Sequence, residues 1–160
     1  MIKITKELID DTLEKARTSP RKRINYNFHT TYDAPIQRML NATEPGTYVR
    51  PHKHEDPDKV EVFIILKGKV AFLEYDNEGD VADHVILDTE GSVRGVESPP
   101  RTWHSFIALD KDSVLYEVKD GPYDPSADKK FAPWSPEEGS EDSSRFLDKT
   151  LSSIKTGTAR

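Results

Sequence analysis

The chain has 160 residues, 34% of them hydrophobic and 32% charged, with a net charge of −6 and no cysteine. That length suits a single ordinary core, and the missing cysteine excludes disulfide scaffolds, thiolate metal sites and cysteine nucleophiles. The acidic balance argues against a partner such as nucleic acid or an anionic membrane, because attraction to phosphate needs a basic surface.

The pI near 5.4 and mean hydropathy of −0.73 describe a small core wrapped in polar loops and tails. No apolar run reaches the roughly 18 residues needed to span a bilayer, and MIKITKELIDDTLEKAR lacks the apolar centre of a secretory signal, so a cytoplasmic location is expected. Ile4, Leu8, Ile9, Leu13 and Ala16 recur at helical spacing with Thr5 as a cap, which predicts an amphipathic helix within residues 1–18. Ser19 and Pro20 end it, and Arg21, Lys22 and Arg23 follow as either a solvated connector or an anion-binding edge.

From about residue 24 to 119, short alternating runs such as IQRMLNA, VEVFIIL, KVAFLEY, WHSFIAL and SVLYEVK are separated by turn residues. This pattern predicts an all-β sandwich or barrel, and the expected barrel unit spans residues 19–135. Lys67-Gly68 reads as a tight hairpin and Asp76 to Asp80 as another. Beyond Lys119 the chain is rich in Pro, Asp and Ser, which predicts an irregular flap. Residues 136–160 then form a polar tail in which Phe146, Leu147, Leu151 and Ile154 allow a short helix before a frayed SIKTGTAR end.

Chemistry concentrates on one face. His52 and His54 are two apart in a strand-like stretch, so their rings point the same way. Glu61 shares parity with Phe63 and Ile65, and His104 with Phe106 and Ala108, so both lie on apolar faces. A buried glutamate needs a cation to remain ionised, and three imidazoles with one carboxylate suit a divalent ion in an open site. The expected ligands are therefore His52, His54, Glu61 and His104, and the ion is Zn, Fe, Mn or Ni. By the same parity Tyr48 and Arg50 are expected to face the interior, as substrate-binding groups or as a structural salt bridge. Glu117 and Lys119 share one face of SVLYEVK and are candidates for acid and base, or else a solvated surface pair. His84 reads as a surface residue, and His29 belongs to a polar face with Asn25 and Asn27.

The pattern Gly46-x5-His52-x-His54-x6-Glu61-x6-Gly68 resembles the first cupin motif, with a His54-to-Glu61 interval longer than the family's usual one. Pro99 and His104 match the second motif, where Arg101 replaces its glycine and Ala108 its asparagine, so Arg101 is expected in a turn conformation awkward for a side chain. SPRKRINYNFH, EPGTYVRPHKH, PPRTWHSF and YEVKDGPYDP…KFAPWSPEEG together resemble the WbuC-type cupins over about residues 15 to 140. The resemblance implies a single-domain jelly-roll barrel, a metal centre completed by water, and a homodimer joined at a sheet edge. It also implies a carbohydrate-type ligand, since such proteins are associated with bacterial surface-polysaccharide loci. Three functions fit: a sugar isomerase or epimerase, an iron-dependent oxygenase, and a small-molecule binding or sensing module without turnover.

Overall fold

The computed structural model describes residues 1–156. After helix α1 (Lys6–Thr18) come strands β1 (Arg23–Asn27), β2 (Ile36–Thr43), β3 (His52–Lys53), β4 (Glu61–Lys67) and β5 (Lys69–Tyr75). These are followed by β6 (Val81–Asp88), β7 (Gly95–Ser98), β8 (Trp103–Ala108), β9 (Ser113–Asp120), β10 (Lys130–Phe131) and helix α2 (Glu141–Thr156). The strands form two five-stranded antiparallel sheets in the orders β1-β2-β9-β4-β7 and β10-β3-β8-β5-β6.

Alternation along the strands fills three apolar layers. Phe63, Ile65, Val70, Phe72, Leu87, Phe106 and Leu115 pack between the sheets. On the outer face of the first sheet, Leu40, Ala42 and Val114 receive Leu13 and Ala16 of α1. The helix begins where expected, with the Thr5 hydroxyl accepting a hydrogen bond from the Leu8 amide at 3.2 Å. On the outer face of the second sheet, Leu73, Tyr75, Trp103 and Ile107 pack with Leu147, Phe146 and Trp134. Because helices or loops cover both outer faces, all six residues of β8 are buried, although its sequence alternates.

Two turns behave differently from each other. Asp76 to Asp80 closes the β5–β6 hairpin as expected, with the Asp76 carboxylate accepting from the amides of Glu78, Gly79 and Asp80 at 2.8–3.0 Å. Lys67-Gly68, by contrast, is no hairpin, because β4 and β5 belong to different sheets and the turn carries the chain across the barrel corner. Gly68 has φ +74°, and a Cβ there would lie 2.5 Å from the Ser113 hydroxyl, so both conformation and space demand glycine. Helix α2 continues through Ile154 to Thr156; the last four residues of the tail expected to fray lie outside the described residues.

Candidate metal centre

Strands β3, β4 and β8 converge at one end of the barrel. His52 pairs with His104 across β3 and β8, while Glu61 opens β4 opposite Lys119 of β9. His52, His54, Glu61 and His104 are all buried, and one donor atom from each lies within 4.8 Å of the others. Two donors on opposite sides of an ion with bonds of about 2.1 Å stand about 4.2 Å apart, so a small contraction closes the set.

The surroundings fix which nitrogen each ring presents. Nδ1 of His52 lies 2.9 Å from the Arg50 carbonyl, Nδ1 of His104 lies 2.9 Å from the Thr102 carbonyl, and Nδ1 of His54 meets the Asp128 carbonyl. A carbonyl only accepts, so each Nδ1 carries the proton and each Nε2 offers a lone pair, the arrangement that orients metal-binding imidazoles. His54 Nε2 is 3.1 Å from Glu61 Oε1, and His104 Nε2 is 2.8 Å from Glu61 Oε2. Yet His54 Nε2, His104 Nε2 and Glu61 Oε2 are buried without a hydrogen-bond partner among the described residues. Such orphaned acceptors are costly, and a shared cation satisfies all of them at once, so the donor set fits a divalent ion. Burial, with Lys129 next in importance, holds His52 well below the ordinary histidine range and so in the neutral form a ligand needs.

A second charged group braces the first. Asp128, from the irregular segment after β9, pairs with Lys119 at 2.7 Å and Lys59 at 2.8 Å, both ammonium groups being buried, while its main-chain carbonyl holds His54. Lys119 also lies 3.8 Å from Glu61 Oε1. Beside it Glu117 is buried and accepts from the Asn41 amide at 2.5 Å. Burial and then the neighbouring Glu61 push the Glu117 carboxyl upward. Burial would lower Lys119, but Glu117, Glu61 and Asp128 more than offset it and hold the amine protonated.

These groups share a cavity of 460 Å³, within the range of small-molecule sites. His52, Glu61, His104, Glu117 and Lys119 line one part, Phe63 and Phe106 supply an apolar surface, and Asn25, Asn27 and His29 stand on the β1 side. The polar face seen in the β1 sequence thus belongs to the cavity wall. His84 is half-buried and lines a separate hollow against α2.

Tyr48 and Arg50 depart from the expected orientation. Val49 lines the cavity instead, because residues 44–51 form no strand and the alternation slips by one between Val49 and His52, at Pro51. The Tyr48 hydroxyl donates to the Pro136 carbonyl at 3.0 Å, and its ring packs on Phe146. Arg50 donates to Ser135 Oγ and to the Ser135 carbonyl at 3.0 and 3.2 Å and lies over the Phe131 ring, with no carboxylate partner among the described residues. Both therefore tie down the segment after β10 rather than face the cavity. Arg21 and Arg23 act likewise, each pairing with Glu138 at 2.7 Å. Arg101 adopts φ +66°, as its place in the second motif implies, and pairs with Asp58 at 2.8 Å on the outward loop between His54 and Glu61. Lys59, Asp128, Lys129 and Tyr123 were not foreseen. They come from polar, turn-rich sequence with no periodicity, and only the run Asp128-Lys129-Lys130 beside an irregular segment hints at them.

The family model described as a Domain of unknown function (DUF6016) matches residues 4–87, more than half of the chain and three of the four donors. The chain belongs to that family. No curated protein matches it in sequence. Among solved structures, a protein with a double-stranded β-helix domain from Klebsiella pneumoniae is similar over 82% of this chain and 98% of its own, with 14% identity and a TM-score of 0.55. The capsular polysaccharide assembling protein CapF from Staphylococcus aureus is similar over 74% of this chain, with 19% identity and a TM-score of 0.54, and this chain covers 33% of that protein's length. KdgF from Halomonas is similar over 68% of this chain and 87% of its own, with 16% identity and a TM-score of 0.51. At these identities the likeness establishes the fold, a single-domain cupin jelly-roll barrel with flanking helices.

Proposed function

We propose that this cupin holds a divalent metal ion through His52, His54, Glu61 and His104 and isomerises or epimerises a sugar-like small molecule in the adjoining cavity. The observation that carries the reading is the juxtaposition of an acid–base pair with the donor cluster: Glu117 and Lys119 line the same cavity as His52, Glu61 and His104. When bound, the ion supplies Lewis-acid polarisation of a substrate carbonyl. Glu117, its affinity for protons raised, takes a proton from the carbon beside that carbonyl and returns it, and Asn41 fixes the carboxyl in place. Lys119, kept protonated, donates toward the substrate oxygen. Phe63 and Phe106 exclude water from one side.

The motif likeness supports placing the chain with the WbuC-type cupins, and the capsular polysaccharide protein among its structural neighbours is in keeping with a carbohydrate substrate. A cytoplasmic homodimer is part of the same proposal. Strand β1 lies at the edge of its sheet and exposes Ile24 and Tyr26, which suits pairing with a second copy. No helix among the described residues is long and apolar enough to cross a membrane.

The test is metal analysis of the purified protein, followed by incubation with aldoses and ketoses in deuterated water. Metal-dependent interconversion with deuterium entering the carbon next to the carbonyl, lost in Glu117→Gln with metal content unchanged, is the expected result. Oxygen uptake requiring ferrous iron would instead establish an oxygenase, and thermal stabilisation by sugars without exchange a binding module.

A further inference from the structure

Lys129 is a charged cavity group that the proposed chemistry leaves unused and, unlike Arg21 and Arg23 on the same wall, it has no carboxylate paired to it among the described residues. It lines the cavity beside Glu117 and Lys119, and its ammonium has no hydrogen bond or ion pair among the described residues. Neighbouring cations have partners: Lys119 and Lys59 share Asp128, Arg21 and Arg23 share Glu138, Arg101 pairs with Asp58, and Arg50 is held by Ser135 and the Phe131 ring. The Lys129 side chain is exposed to solvent, and the carboxylates of Glu61, Glu117 and Asp128 act on it electrostatically without forming an ion pair, against the opposing charge of Lys119.

Charge balance strengthens the point and rests on the metal reading above. A divalent ion on the donor set would be half neutralised by Glu61, the only carboxylate among its ligands. Lys119 and Lys59 share the single charge of Asp128, and Glu117 adds one negative charge to the wall, so positive charge stays in excess. The cavity would then hold two facing centres of positive charge, the ion and Lys129, whose influence reaches His52. An anion placed between them relieves their repulsion, since Glu117 makes no ion pair with Lys129 among the described residues. The remaining wall, with Asn25, Asn27 and Tyr32, offers neutral polar groups suited to hydroxyls.

We propose that the cavity selects an anionic, polyhydroxylated small molecule, a sugar acid or a sugar phosphate, whose charged group is anchored by Lys129.

The experiment measures metal content first, then titrates the metal-loaded full chain with glucuronate, glucose 6-phosphate and glucose, following thermal stability and binding heat. At least one anion should bind no less than tenfold more tightly than glucose, and which one does so separates carboxylate from phosphate. Lys129→Gln should lose at least tenfold of that preference with its metal content intact, and Lys129→Arg should retain most of it. Equal binding of glucose and both anions, no binding of either anion, or unchanged selectivity in Lys129→Gln would overturn the assignment. Protein that binds no metal yet prefers the anions through Lys129 would refute the metal reading while leaving the anchor standing.

Discussion

Asp128 braces the donor set twice, since its carboxylate pairs with two buried lysines and its main-chain carbonyl holds His54 in the tautomer a ligand needs. Replacing it by Asn keeps the main chain and the shape but leaves Lys59 buried without its paired carboxylate and Lys119 with only Glu61, 3.8 Å away. Breaking a buried pair in this way costs about 3–5 kcal/mol. Asp128→Asn, measured by urea denaturation of metal-free protein, should show a loss of that size, and a loss below about 1 kcal/mol, the value of an exposed pair, would mean that water reaches the lysines. The residue was illegible in the sequence because its partners are 9 and 69 positions away and no local period marks it. The four donors were legible for the opposite reason. Glu61 and His104 sit within short runs whose alternation assigns them to the apolar face, where such a group calls for a partner, and His52 and His54 stand two apart on a common face.

At the level of elements, each helix covers a sheet face that would otherwise be exposed. Leu13 of α1 is fully buried against Leu40 and Val114, so Leu13→Ala should destabilise by about 2–5 kcal/mol in denaturant titrations while leaving metal binding unchanged, because α1 lies on the sheet face away from the donors. The segment before α2 is held by Glu138, clasped by Arg21 and Arg23. Burial works against that carboxylate, but the two guanidinium groups prevail and hold it below its ordinary value of 4.5. A depressed carboxylate contributes stability above its unfolded value and loses it as pH falls through the folded one. Glu138→Gln should therefore cost up to about 1 kcal/mol at neutral pH, allowing for solvent screening, and the gap from wild type should close as pH drops below 4.5 in thermal scans. A gap that persists in acid would assign the effect to packing. The strand succession was readable because periodicity is local, whereas the crossing at Lys67-Gly68 was not, since a glycine turn between two β runs looks the same whether the runs pair or part. Tyr48 and Arg50 failed for a related reason: alternation holds only inside a continuous strand, and Pro51 interrupts it.

For the whole molecule, the apolar layers and the donor cluster are separate sources of stability. The layer between the sheets is built from Phe63, Phe72, Phe106 and other side chains that do not depend on an ion. Removing the metal with a chelator should lower the melting temperature and leave the far-ultraviolet β signal in place. Saturation at 1,000 times the dissociation constant corresponds to about 4 kcal/mol of added stability. A melting temperature indifferent to chelation, with metal loss verified by elemental analysis, would remove the ion from the reading. The segment from Gly121 to Lys130 links these levels, because Asp128 grips His54 while the next residue, Lys129, faces the ligand space. One short piece of backbone thus reports to both occupants. By thermodynamic reciprocity, whatever factor an anion at Lys129 applies to the protein's hold on the ion, the ion applies in return to its hold on the anion.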